Sequence, residues 1–263
     1  MFIVNNYALA VLFCFVTMFC WGSWGNTQKL ASRSWRYELF YWDYVIGMVL
    51  FSLLIGFTLG SFGEQGRSFA TDLAQADPKH IGSVLLGGAV FNAANILLSA
   101  SVSLAGLAVA FPLGVGLALV LGVIVNYLGA PKGDPVVLFA GVALIVVAII
   151  LNGAASAGQT RGTQRSNRKG IVLAAVAGVI MAFFYRFVAA AMDLDNFANP
   201  TPGMLTPYSA LFIFSIGVLL SNFVFNSWVM RHPFEGEPVT YKAYFSGSSS
   251  THLVGMLGGS VWA

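Results

Sequence analysis

The chain has 263 residues, 57% of them hydrophobic and only 9% charged, with 22 phenylalanines and a formal net charge of +3. An ordinary soluble domain carries about 25% charged residues, so this chain cannot clothe a soluble fold of its size and reads as an all-α, polytopic membrane protein. Its pI of 8.9 does not point to nucleic acid, because the basic residues sit in short loops between apolar runs, where they act as topology signals.

The first expected span, Tyr7–Thr27, has no basic n-region and no small-residue cleavage signal, so it reads as a retained helix and not a signal peptide. Cys14 and Cys20 lie within it and read as small buried hydrophobes, not as a disulfide or metal pair. A second span is expected over Phe40–Gly60. The apolar block from Ile81 to Leu128 is too long for one crossing of ~20 residues. A break near Ser101–Ser103 divides it into Ile81–Ala100 and Leu104–Leu128. Three further spans follow at Pro135–Ala154, Ile171–Met192 and Pro207–Met230. In the fourth, Pro112 near Gly114 and Gly116 can loosen or kink the helix. The closing HLVGMLGGSVWA is apolar but shorter than a span. A truncated copy of a longer protein is therefore expected, with roughly 60–80 further residues at ~20 per crossing.

An internal echo supports that expectation. LLGGAVFNA (Leu85–Ala93) returns as MLGGSVWA (Met256–Ala263), each after a polar loop with a histidine, His80 or His252. The echo joins the third span to the eighth, giving a repeat of five spans. An odd repeat reverses orientation, so the two copies form an inverted pair. The expected organisation is a first five-helix repeat over 1–155, a basic cytoplasmic linker over 156–169 and an incomplete second repeat over 170–263.

Charge sets the expected orientation. Lys29, Arg33 and Arg36 follow the first span. Arg161, Arg165, Arg168 and Lys169 follow the fifth, and Arg231 and Lys242 the seventh. On the other side Arg67, Lys79 and Lys132 stand among Asp72, Asp77 and Asp134, and the loop after the sixth span carries Asp193 and Asp195. The positive-inside rule places the N-terminus outside, in a plasma or inner membrane.

Ionisable groups within spans are candidates for function because lipid penalises them. Asp43 reads either as a hydrated interfacial charge among Tyr41, Trp42 and Tyr44, or as a carboxylate that binds a proton, an ion or a solute hydroxyl. Glu38 is roughly 140° away around a helix, so the two do not share a face, and Glu38 reads as a boundary residue. Arg186, deep in the sixth span, either snorkels to the headgroups or faces a cavity as an anion-attracting cation. Asn92 and Asn95 share a face of the third span and serve as interhelix glue or as solute ligands. In FCWGSWGNTQKL, Trp21 and Trp24 share a face, Gly22 and Gly25 permit close helix approach, and Asn26 and Lys29 are in register. Those rings are either a lipid-interface belt or a flat wall beside hydrogen-bonding groups.

FCWGSWGNTQKL, RYELFYWDYVIG and GGAVFNAANILL together resemble the glucose/ribose/rhamnose uptake and ureide permease-like transporters of the drug/metabolite transporter superfamily, along the whole chain. The resemblance implies a ten-helix carrier of two inverted five-helix repeats that moves a small polar solute by alternating access. It singles out Trp21, Trp24, Asn26, Lys29, Glu38, Asp43, Asn92 and Asn95; Arg186 rests on burial alone. The expected arrangement has spans one to four and six to eight around a central cavity and span five at the periphery.

The leading reading is thus a secondary permease for a sugar or similar polar metabolite, with protons as the candidate coupling ion and the lipid bilayer as its surroundings. An exporter of drug-like or amino-acid-like compounds is the alternative on the same fold; a channel or structural membrane protein is the alternative of another class. No GxxxxGK[ST], HExxH or GxSxG pattern occurs. Neither nucleotide-driven transport nor an enzyme is expected, and no catalytic residue, metal or cofactor is assigned.

Overall fold

A computed structural model describes residues 1–32, 35–159 and 168–263. Arg33, Arg161, Arg165 and most of the expected linker lie outside the described residues. The helices are α1 (Tyr7–Ala31), α2 (Tyr37–Phe57), α3 (Phe69–Gln75), α4 (Pro78–Ala105), α5 (Leu107–Gly129), α6 (Pro135–Gln159), α7 (Arg168–Met181), α8 (Phe184–Ala189), α9 (Pro207–Arg231), α10 (Tyr241–Phe245) and α11 (Ser249–Trp262). Among the described residues the fold is all-α, with one isolated bridge between Met192 and Leu205. Among the described residues, seven segments are long and apolar enough to cross a membrane, α7 and α8 together forming one of them. They are the seven spans expected from the sequence.

Three local readings need correction. The third and fourth spans do not part at the serines. Ser101 stays helical and buried, its hydroxyl donating to the Gly170 carbonyl at 2.7 Å. The chain turns instead at Gly106, whose φ of +82° is in the left-handed region that glycine enters without steric cost. The sixth span is interrupted after Met181, where Phe183 and Arg186 donate to carbonyls three residues back, the tighter 3₁₀ pattern. Cys14 is exposed and Cys20 only partly buried, because α1 buries the single stripe Trp24, Gly25, Gln28 and Ala31 and leaves its other faces for lipid. Gly25 lies on that stripe. Gly22 does not, and a Cβ there would touch nothing.

The chain divides into two compact units, one of Met1–Ala89, Phe187–His232 and Pro238–Ala263, the other of Val90–Arg186 and Pro233–Glu237. In the first, α2 is the central helix and packs against α9 and α11, while α1 packs on α11. These crossings are close because glycines remove the Cβ between backbones. A Cβ at Gly47 would collide with the Met256 backbone, and one at Gly259 with the Tyr44 carbonyl and the Met48 amide. Likewise, one at Gly217 would collide with the Leu85 backbone, and one at Gly88 with the Phe214 carbonyl and the Val218 amide.

At the end of this unit where α1 begins, a polar clasp ties the loops together. Asp72, fully buried, accepts from Arg67 Nε at 2.8 Å and from the Thr206 amide at 2.7 Å. Arg67 also donates to the carbonyls of Pro200 and Met204, and Gln75 accepts from the Gly203 amide. Arg67 and Asp72 therefore do more than balance loop charge. They fix the segment that leads into α9.

In the second unit, α5 packs against both α6 and α7. Gly114 meets Leu98 and the Ala174 backbone, and Gly178 meets the Gly114 carbonyl. α5 continues through Pro112, which lies within its first two turns. α6 keeps most of its side chains exposed to the surroundings of the protein.

Candidate functional site

Asp43 is the seventh residue of α2, on a face that α11 and α10 cover, and its side chain is 0% exposed. That burial sets aside the hydrated-rim reading of its position. Tyr244 Oη donates to Asp43 Oδ1 at 2.7 Å, and His252 Nδ1 lies 2.9 Å from both carboxylate oxygens. Gly255 lets α11 approach this closely, since a Cβ there would strike the Asp43 side chain. Trp35 closes the far side, its ring centroid 4.6 Å from that of His252 and 6.0 Å from that of Tyr244. Burial first, and then the bond to Asp43, push the Tyr244 phenol well above its usual pKa, so it remains a donor. With His252 protonated the pair is ionic; with it neutral, Asp43 has only dipolar partners in a water-poor setting. Through this one carboxylate, α2 is tied to both α10 and α11.

Glu38 is also fully buried, yet it belongs to a different face and a different partner, Arg36, whose Nε lies 3.2 Å from Oε2. The carbonyl of Glu38 accepts from Asn226 Nδ2 on α9 at 2.9 Å. The two carboxylates therefore do not form a pair, as their spacing implied.

The aromatic residues of the first span take separate positions. Trp24 is 2% exposed and lies against Tyr44 at 4.9 Å, with Tyr41 stacked on Tyr44 at 5.3 Å. Trp21 is 39% exposed but stacks on Trp262 at 5.6 Å and 6°, and donates from Nε1 to the Trp262 carbonyl. Trp262 in turn stacks on Phe214 at 5.7 Å, so α1, α11 and α9 are joined by rings. Asn26 and Lys29 are exposed and lie off the buried stripe of α1. In the second unit, Asn92 and Asn95 are buried on α4. Arg186 is exposed, its guanidinium against Gly129 at the C-terminal end of α5, where a cation complements the unpaired carbonyls.

Sequence reasoning named Asp43 but not Tyr244, His252 or Trp35. They lie in loops or at helix starts in the sequence, and only the fold-back of α10 and α11 brings them to α2. The buried amides Asn222 and Asn226 of α9 were also missed. Their signal was a pair of polar residues four apart inside an apolar span.

Comparison with known proteins adds a likeness. The family model described as Ureide permease matches residues 40–169, a stretch that contains Asp43, Asn92 and Asn95. Ureide permease 2 of Arabidopsis thaliana is 28% identical over 159 residues, covering 59% of this chain and 40% of that protein. Ureide permease 3 of the same plant is 25% identical, covering 59% and 45%, and Probable ureide permease A3 of Vigna unguiculata is 28% identical, covering 57% and 41%. The chain thus spans less than half the length of these relatives. No solved structure matches it. With seven membrane-length segments among the described residues and this match, the chain is a polytopic membrane protein similar to the ureide permeases.

Proposed function

We propose that this protein is, or is part of, a secondary active carrier that moves a small polar solute across a plasma or inner membrane by alternating access. The observation that carries the reading is the buried Asp43–His252–Tyr244 cluster: a carboxylate inside a span, joined to α10 and α11, in a chain similar to proteins named for ureides. A ureide comes before a sugar as the candidate solute, on the names of those relatives. Protons are the candidate coupling ion, because the cluster changes charge by taking one up.

Inverted repeats are the proposed architecture, and the helix crossings support them. Gly88 of α4 meets Phe214 and Val218 of α9; Gly259 of α11 meets Tyr44 and Met48 of α2. Gly217 meets Leu85, and Gly47 meets Met256. Exchanging the second span for the seventh and the third for the eighth converts each contact into its counterpart, residue by residue. A pseudo-two-fold operation would produce that correspondence. In this reading the charged loops put the N-terminus outside.

The test is uptake into sealed vesicles holding the chain, with labelled ureides, sugars and amino acids and an imposed pH gradient. Accumulation of a ureide driven by the gradient is the expected result. Accumulation of amino acids alone would favour the exporter reading. Gradient-independent conductance far above carrier turnover would favour a channel.

A further inference from the structure

α9 carries a buried polar stripe of Ser215, Asn222 and Asn226, whose spacing keeps them near one face. Both ends of the stripe are closed onto α2. Ser215 Oγ lies 2.8 Å from Ser52 Oγ, and Asn226 Nδ2 donates to the Glu38 carbonyl at 2.9 Å. The middle is open in chemical terms: among the described residues, neither Oδ1 nor Nδ2 of Asn222 has a partner, and Asn226 Oδ1 has none. The unpaired atom of Asn226 is an oxygen on chemical grounds, because the atom that faces a carbonyl must be the amide nitrogen.

The two bonds also fix where Asn222 stands. α2 and α9 run antiparallel between them, so counting from either bond brings Asn222 level with the Trp42–Val45 turn of α2. Trp42, in that turn, packs on Phe223 of α9 at 5.0 Å. An apolar side chain of similar size would remove the desolvation penalty that these unpaired atoms carry. An amide with both polar atoms unpaired calls for a partner that the described residues do not supply.

We infer that Asn222 and Asn226 are a binding site for a planar urea or cyclic-amide group of the transported solute. This rests on the carrier reading above. The unpaired set offers two carbonyl oxygens and one NH₂ group, about one helical turn apart. A urea unit offers the converse, two N–H donors flanking one carbonyl. A hydroxyl can satisfy any one of these atoms, but a flat N–H/C=O edge satisfies both atoms of a single carboxamide together.

The experiment is equilibrium binding of labelled hydantoin, a cyclic ureide, to the full chain purified in detergent. 1,3-Dimethylhydantoin, which lacks both N–H groups, and glucose serve as competitors, and melting is followed for each variant. The wild type should prefer hydantoin to its dimethyl analogue at least tenfold, with glucose a poor competitor. Asn222→Leu should melt at or above the wild type yet bind hydantoin at least tenfold more weakly. Asn222→Asp keeps the shape but replaces the two-donor NH₂ group by a carboxyl oxygen, and should weaken binding similarly; it decides the matter where the leucine variant does not fold. Binding by Asn222→Asp or Asn222→Leu within twofold of the wild type would overturn the inference, as would equal binding of the dimethyl analogue. Glucose binding in preference to hydantoin would overturn it while leaving a carrier in place. Failure of the wild type to move any solute in the vesicle assay is the separate failure of the carrier reading.

Discussion

At Asp43, a carboxylate with no exposed surface is held by one phenol and one imidazole. Removing one partner of a buried pair leaves the other uncompensated, which typically costs about 3–5 kcal/mol. His252→Ala should therefore lower the melting temperature more than Asp43→Asn, which keeps the shape and removes the charge. On coupling the expected order differs. Asp43→Asn should abolish proton-driven accumulation while leaving insertion intact, whereas Asp43→Glu should retain part of it because a titratable group remains. Uptake under an imposed pH gradient, corrected for protein amount, checks both; wild-type accumulation by Asp43→Asn would remove Asp43 from the mechanism. Asp43, Asn92 and Asn95 were legible in the sequence because polar groups inside apolar runs stand out. Tyr244 and His252 were not, since a residue beside a loop has no visible partner until the chain folds back. Trp24 and Lys29 illustrate the same limit within one motif: spacing gives a shared helix, while burial separates the ring from the exposed amine.

At the scale of elements, the hydrophobic runs gave the seven spans directly, because ~20 apolar residues have few alternatives. Their interruptions were less legible. The serines near 101–103 looked like a turn, but a helix can satisfy serine hydroxyls through carbonyls, and the reversal falls at Gly106 instead. Glycines inside the spans differ in the same way, by what lies opposite. Gly259 and Gly88 are pressed against backbone atoms that cannot move aside, while Gly22 faces open space. Gly259→Leu and Gly88→Leu should each force α11 from α2, or α4 from α9, and sharply lower the yield of folded protein. Gly22→Ala should be neutral or stabilise by up to about 1 kcal/mol, since alanine is the better helix former. Thermal melting of the purified variants in one detergent separates the two classes. Equal melting of Gly259→Leu and Gly22→Ala would mean that the close crossing does not hold α11 in place.

For the whole molecule, the reciprocal glycine contacts and the charge pattern are independent arguments for one architecture. Packing relates α4 on α9 to α11 on α2, and it would look the same whichever way the chain lay in the membrane. Charge, in contrast, speaks only of sidedness, through Lys29 in the last turn of α1, Arg36 after it, and Asp193 and Asp195 before α9. If both follow from an inverted repeat, the loop after the first span and the loop after the sixth lie on opposite membrane faces. Replacing Cys14 and Cys20 by alanine removes both native thiols, and single cysteines can then be placed at Ser32 and at Asn199, both exposed. In intact cells an impermeant maleimide should label Asn199→Cys, and Ser32→Cys should react only after the membrane is opened. Reaction of both from the same side would remove the inversion, and the equivalence of Gly88 with Gly259 would then be a packing coincidence. Opposite sidedness with the reverse order would keep the repeat and turn the molecule over, placing the Asp43 cluster at the outer end of its spans.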